Sequence, residues 1–130
     1  MDIFQQYATN ETTEVEGSWQ DVGDARFLVA RSGNRKYIKK LIKLAERNKK
    51  TLDRKDDEAD KLSDSIMIDV LAETILLGWE GVSFKGAPML YSVENAKILL
   101  AVKDFRKIIG ELSDDFESYK ADKEEAEVKN

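Results

Sequence analysis

The chain has 130 residues, 36% of which are charged, and a net charge of −5. This length fits one domain that buries its own core without metal or disulfide staples. The chain contains no His and no Cys, which excludes thiolate nucleophiles, imidazole bases and the usual zinc sites.

The composition therefore indicates a binding protein and not an enzyme. We expect no catalytic, cofactor-binding or metal-binding residues, and no cofactor. No apolar run reaches the roughly 20 residues that span a bilayer, and the first residues lack the basic start and apolar centre of a secretory signal. We expect a cytoplasmic protein with no membrane partner.

Residues 1–17 are polar and predict a flexible N-terminal arm. The segment SWQDVGDARFLVAR then predicts a short β-hairpin, with strands at 19–22 and 25–30 joined by Gly23 and Asp24. An isolated hairpin is only marginally stable in water. This pair must therefore pack on helices or be completed by a partner strand.

An amphipathic helix is predicted at 34–50, with Ser32-Gly33-Asn34 as its N-terminal cap. Its apolar face carries Tyr37, Ile38, Leu41, Ile42, Leu44 and Ala45. Its opposite face carries Lys36, Lys39, Lys40, Lys43, Arg47 and Lys50. A basic face of this kind also fits a small nucleic-acid-binding regulator, but no aromatic residues interleave it and no nucleic-acid motif surrounds it, so nucleic acid is the less favoured partner.

Charge is strongly segregated along the chain. Residues 31–55 contain eleven basic and two acidic residues, whereas residues 56–80 contain one basic and eight acidic residues. Either the basic helix pairs with the acidic one inside the molecule, or the basic face of one copy meets the acidic face of another in a weak homo-oligomer. The candidate self-association residues are Lys36, Lys39, Lys40, Lys43, Arg47, Asp56, Asp57 and Glu58.

A second helix is predicted at 56–79, and its second half is apolar on most sides, which is typical of a central helix. Leu62 and Leu76 fall on its polar stripe, so they are either covered by the hairpin or exposed for a partner. Asp69 and Glu73 share that stripe at a spacing of four. No His is present to complete a metal site with them, and we interpret the pair as solvated.

A last helix is predicted to begin after the cap Ser92. Apolar residues then follow at alternating spacings of four and three, which is typical of an a/d seam. They are Ile98, Val102, Phe105, Ile109, Leu112, Phe116 and Tyr119. The seam packs on the helix at 56–79 or partly meets another chain, and Gly110 is a site where the helix can kink. The candidate partner-binding residues are Leu62, Leu76, Phe116 and Tyr119.

These patterns together predict a mainly α fold. We expect a single small helical domain of three to four helices at 18–120, with a short N-terminal β-hairpin and flexible termini. The flexible parts are the arm at 1–17 and a charged C-terminal tail at 121–130.

Three segments carry a family resemblance: GDARFLVARSGNRKYIKKLIKL, VLAETILLGWEGV and PMLYSVENAKILL. Together they resemble the tail assembly chaperones of long-tailed bacteriophages over residues 19–112. The Trp-Glu-Gly and Tyr-Ser-x-Glu-Asn elements are the most specific part. Trp79 is expected to be a core anchor and Gly81 a turn glycine.

The resemblance implies a protein that is not an enzyme and is absent from the mature virion. It implies binding to the helical tape measure protein, which the chaperone keeps soluble in the host cytoplasm during tail tube assembly. It also implies that this chain is the shorter of two products, and that a longer product of ribosomal frameshifting recruits the tail tube protein.

Overall fold

The computed structural model describes residues 1–121. In chain order its elements are α1 (Ile3–Tyr7), α2 (Glu11–Glu16), β1 (Ser18–Val22), β2 (Ala25–Val29), α3 (Arg35–Arg47), α4 (Lys49–Leu52), α5 (Asp57–Thr74), β3 (Leu76–Glu80), β4 (Ser83–Phe84), β5 (Ala87–Pro88), α6 (Val93–Leu100), α7 (Lys103–Ser113) and a 3-10 turn (Phe116–Tyr119). The tail predicted at 121–130 lies, beyond Ala121, outside the described residues.

The predicted N-terminal hairpin is confirmed. Strands β1 and β2 are antiparallel, and Val22 pairs with Ala25 across the turn. Gly23 has a φ of +58° there, a conformation that glycine adopts at little cost. The hairpin therefore reverses the chain where the sequence predicts it.

The predicted mainly α fold is wrong, because the structure is α+β. Residues 76–79, predicted to continue a helix, belong to strand β3, which pairs antiparallel with β2. The hairpin thereby becomes a three-stranded sheet in the order β1-β2-β3, and β4 and β5 form a separate two-stranded sheet. A strand of the same chain completes the hairpin.

Helix α5 ends at Thr74, whose hydroxyl donates to the Val70 carbonyl oxygen at 2.6 Å. The next residues are apolar, and a short apolar run fits a buried helix or a buried strand equally well by periodicity. Two features favour the strand. Gly78 costs about 1 kcal/mol in a helix interior, and β2 has an open edge whose backbone groups require partners.

The core lies on one face of the three-stranded sheet. Phe27 and Val29 of β2 belong to the same buried cluster as Ile75, the residue that follows α5, and Leu100 of α6. Ile109 of α7 is also fully buried in it. The central strand therefore provides a surface on which α5, α6 and α7 pack.

The predicted basic helix is confirmed at α3. Asn34 is its N-cap, and the side-chain oxygen of Asn34 accepts hydrogen bonds from the backbone N–H groups of Lys36 and Tyr37 at 2.9 and 3.1 Å. The helix ends at Arg47, inside the predicted span of 34–50, and Asn48 separates it from the short helix α4. Helix α3 packs against α5.

The predicted C-terminal seam is divided between two helices and a 3-10 turn. Helix α6 ends at Leu100 and α7 begins at Lys103, with Val102 in extended backbone between them. The Arg106 guanidinium donates to the Leu100 carbonyl oxygen at 3.0 Å, which satisfies a helix-end acceptor. The chain therefore turns at Val102 and not at Gly110.

The N-terminal segment, predicted to be a flexible arm, contains the helices α1 and α2. Residues 8–10 lie beside residues 119–121 and form two backbone hydrogen bonds with them. The Asn10 N–H donates to the Tyr119 carbonyl oxygen at 3.0 Å, and the Ala121 N–H donates to the Ala8 carbonyl oxygen at 3.1 Å. The flexibility of the segment stays a prediction.

Within residues 1–121 no helix has the length and apolarity needed to cross a membrane.

Gly81→Ala is expected to destabilise the fold more than Gly86→Ala. Both glycines have positive φ, +76° and +84°, so each substitution incurs left-handed strain of about 1–2 kcal/mol. A Cβ at Gly81 also meets the backbone oxygen of Asp24 at 2.9 Å, whereas a Cβ at Gly86 meets nothing within 4 Å. This steric overlap lowers the free energy of unfolding of Gly81→Ala by about a further 1–3 kcal/mol. Urea unfolding of both variants measures the difference. Equal losses for both variants would contradict this packing.

Candidate docking groove

An apolar groove of about 360 Å³ lies where the sheet, the small hairpin β4–β5 and the helices α6 and α7 meet. We call it the groove. It is lined by Val22, Ala25, Phe27, Gly81, Val82, Ser83, Phe84, Leu99, Val102, Phe105 and Ile108. Ser83 is the one polar side chain among them, so the groove provides apolar contact almost without hydrogen bonding.

One wall is formed by the corner between α6 and α7. Leu99 precedes the corner, Val102 lies at it, and Phe105 and Ile108 follow on α7. Val102 and Ile108 are 46% and 39% exposed. Because the chain turns at Val102, these four side chains reach one concave surface.

The opposite wall is the β4–β5 hairpin. Its two-residue turn, Lys85-Gly86, has positive φ at both positions, +51° and +84°, as a type I′ turn requires. The Met89 N–H donates to the Val82 carbonyl oxygen at 2.9 Å, which holds the base of the hairpin closed. Val82 and Phe84 therefore line the groove from a short hairpin that its turn and this hydrogen bond hold in place.

The floor of the groove contains the rings of Phe27 and Phe105, which belong to a larger aromatic cluster. The ring centroids of Phe27 and Phe105 are 5.5 Å apart, and those of Phe27 and Trp79 are 6.5 Å apart. Trp79 contacts Tyr91 edge-on at 5.0 Å, and its indole N–H donates to the Met89 carbonyl oxygen at 2.7 Å. Trp79 is buried, which confirms it as a core anchor.

Chemically, the groove suits an apolar helix face or side chain and not a reacting substrate. It contains no titratable side chain. Within residues 1–121 no three His, Cys, Asp or Glu residues lie close enough to hold a metal ion. Asp69 and Glu73, spaced like a carboxylate pair, form ion pairs with Lys97 at 3.6 Å and Lys40 at 2.8 Å.

None of the four predicted partner-binding residues lines the groove. Leu76 is fully buried in β3, opposite Val29. Tyr119 is also fully buried, so neither side chain offers a surface to a partner. Leu62 on α5 and Phe116 in the 3-10 turn are partly exposed, and their role in binding stays a prediction.

Tyr119 holds the C-terminal turn against the sheet. Its hydroxyl donates to the Val29 carbonyl oxygen at 2.7 Å and accepts from the Gln20 amide at 3.3 Å. The same amide donates to the Leu112 carbonyl oxygen at 3.2 Å. Tyr119 is therefore a structural residue that joins β1, β2 and the turn.

The predicted self-association residues divide into paired and unpaired charges. Lys40 pairs with Glu73, and both Asp56 and Glu58 pair with Arg54 at 2.9 and 3.0 Å. Asp56 caps α5, and the hydrogen bond from the Ala59 N–H, assisted by Arg54, lowers the pKa of its carboxyl group. The remaining residues are exposed and form no ion pair with any residue of 1–121: Lys36, Lys39, Lys43, Arg47 and Asp57.

The sequence interpretation missed the groove because its walls come from segments far apart in the chain. The sequence pattern predicts Val102 and Phe105 on the a/d seam of one continuous helix. Val82 and Phe84 are apolar residues at alternate positions, which is a strand signal. That signal identifies one wall, but only the fold brings it to α7.

A family model described as YdaY prophage protein matches residues 32–130 of this chain. The match includes α3 and every later described element, and begins after the hairpin β1–β2. No curated protein and no solved structure matches the chain.

Tyr119→Phe is expected to lower the free energy of unfolding by about 1–3 kcal/mol, because the buried Val29 carbonyl loses a donor. Tyr7→Phe is the matched control. Tyr7 is exposed, and its hydroxyl makes no hydrogen bond to any residue of 1–121, so its removal leaves stability unchanged. Urea unfolding measures both, and an unchanged Tyr119→Phe variant would contradict the structural role of this hydroxyl.

The same substitution is expected to change the pH dependence of stability. Burial raises the pKa of Tyr119 above its ordinary value of 10.0. Above about pH 10 the unfolded chain therefore loses this proton while the folded chain keeps it, and the free energy of unfolding falls as pH rises. Denaturant midpoints at about pH 9 and about pH 11 test this. The fall is shallower in Tyr119→Phe, and equal slopes would contradict the shift.

Proposed function

This chain belongs to the YdaY prophage protein family and is phage-derived, and from that premise we propose that it is a tail assembly chaperone. In this proposal it binds the tape measure protein, keeps it soluble and promotes tail tube assembly through protein–protein contacts. Two observations support it. The segments from Gly23 to Leu100 resemble that class of chaperone, and the groove offers an apolar binding surface.

The groove is the single observation that carries the proposal. An amphipathic helix binds by placing apolar side chains in a groove at successive turns. Here Phe27 and Phe105 form an aromatic floor, and the half-exposed Val102 and Ile108 form the rim. A tape measure protein rich in amphipathic helix provides such side chains in large number.

The groove is small, so a single copy contacts only a short part of a helical client and binds weakly. Many copies on one long client gain total affinity by avidity, without a new kind of contact. The proposal includes the host cytoplasm as the site of action, absence from the mature virion, and recruitment of the tail tube protein by a longer frameshifted product.

Val102→Glu and Ile108→Glu are expected to abolish solubilisation of the tape measure protein encoded by the same prophage. A carboxylate at the rim leaves a charge desolvated against an apolar client. Both positions are half-exposed, so we expect stability changes within about 1 kcal/mol. The measurement is the soluble fraction of the co-expressed client, with circular dichroism as the test of folding.

Ile98→Glu is the matched control, because Ile98 is 48% exposed and does not line the groove. We expect it to solubilise the client as well as the unsubstituted chain does. The proposal fails if the unsubstituted chain does not solubilise the client, or if the folded groove variants still do.

The second candidate is a nucleic-acid-binding regulator. It is favoured by Lys36, Lys39 and Lys43 on α3, which are exposed and form no ion pair within residues 1–121. DNA binding that weakens steeply with salt and is lost in Lys39→Glu/Lys43→Glu would support it. Client solubilisation that is sensitive to Val102→Glu and insensitive to the α3 substitutions would support the chaperone.

A further inference from the structure

Helix α3 carries more positive charge than ion pairs within residues 1–121 neutralise. Of its six basic residues, Lys40 alone forms an ion pair with a residue of 1–121, at 2.8 Å from Glu73. We call the others the basic surface: Arg35, Lys36, Lys39, Lys43 and Arg47. All five are exposed.

The basic surface also contains exposed apolar area. Ile38 and Ile42 are 47% and 52% exposed and lie one helical turn apart, which places them on one side of α3. Apolar side chains bordered by charged ones match the apolar centre and polar rim of a protein interface. Exposed lysines alone are typical of a solvated face.

The first half of α5 has the opposite charge. Asp57, Asp60 and Asp64 are exposed and form no ion pair with any residue of 1–121, and we call them the acidic surface. The nearby acids Asp56 and Glu58 are already paired with Arg54. The carboxylates of the acidic surface therefore have no ion-pair partner within residues 1–121, although α3 and α5 pack together.

We propose that the basic surface of one copy docks on the acidic surface of a second copy of this chain. The two surfaces are opposite in sign, and within residues 1–121 no ion pair joins them. Complementary surfaces speed encounter and fix orientation, and burial of Ile38 and Ile42 in the contact adds an apolar contribution.

A second copy fits the basic surface better than a polyanion does. An anionic membrane or a nucleic acid that approaches α3 also approaches the acids of α5, which repel it. A second copy presents both signs. This inference does not depend on the groove, which lies on other elements, so either proposal can fail without the other.

Charge reversal with recombination tests the contact. Lys39→Glu/Lys43→Glu and Asp60→Lys/Asp64→Lys each place like charges across the interface, so each variant alone is expected to self-associate at least about tenfold more weakly than the unsubstituted chain. In an equimolar mixture of the two variants, every contact between unlike variants again joins opposite charges. We expect the mixture to restore association, as measured by sedimentation equilibrium at low salt.

Lys103→Glu/Lys107→Glu on α7 is the matched control. These lysines are also exposed, unpaired within residues 1–121 and four residues apart, so their reversal changes net charge equally and leaves association intact. Raising the salt concentration weakens association, because the Debye length falls from about 10 Å at 0.1 M to about 3 Å at 1 M. A monomer at all concentrations, or a mixture that does not recover, overturns the proposal.

Discussion

The structure depends on the need of β2 for hydrogen-bond partners along both edges. β1 provides one edge through a tight turn, and β3 provides the other after 46 residues of chain, from Ala30 to Ile75. Closing so long a connection costs entropy, but it places the end of α5 directly beside the sheet. The Ala30 N–H donates to the Ile75 oxygen at 2.8 Å, and the core forms at that junction. Leu100 of α6 and Ile109 of α7 share the buried cluster that Leu76 and Trp79 of β3 complete.

Local signals identified much of this fold. The hairpin is encoded by alternating residues around Gly23-Asp24, and α3 by its cap Asn34 and its apolar stripe. These elements are determined within a dozen residues of sequence. The wrong helix prediction at 76–79 has a physical cause. A buried apolar run is compatible with a helix or a strand, and here it forms a strand because it pairs with β2, which is distant in the chain. The break at Val102 has a similar cause, because Arg106 satisfies the end of α6 only once the chain has turned.

The candidate site was less accessible to sequence than the fold. Leu76 and Tyr119 carry the right residue types for a partner surface, yet their strand register and hydrogen bonds bury them. The groove instead uses Val102 and Ile108, which appear in the sequence as ordinary helix residues. Exposure is a property of packing between distant segments, and no local pattern determines it. Charge is different: the segregation between α3 and α5 is visible in the sequence and remains visible on the surface.

The short bridge between residues 8–10 and residues 119–121 has a mechanical consequence. Since the bridge is antiparallel, Ala8 and Ala121 lie at the same end of it, and a pull on both ends of the described chain loads its two hydrogen bonds one after the other. The three-stranded sheet carries no load until those bonds separate. In the described part of the chain the bridge therefore shields the sheet from a pull on the ends, and the force is taken up first where the least structure is lost.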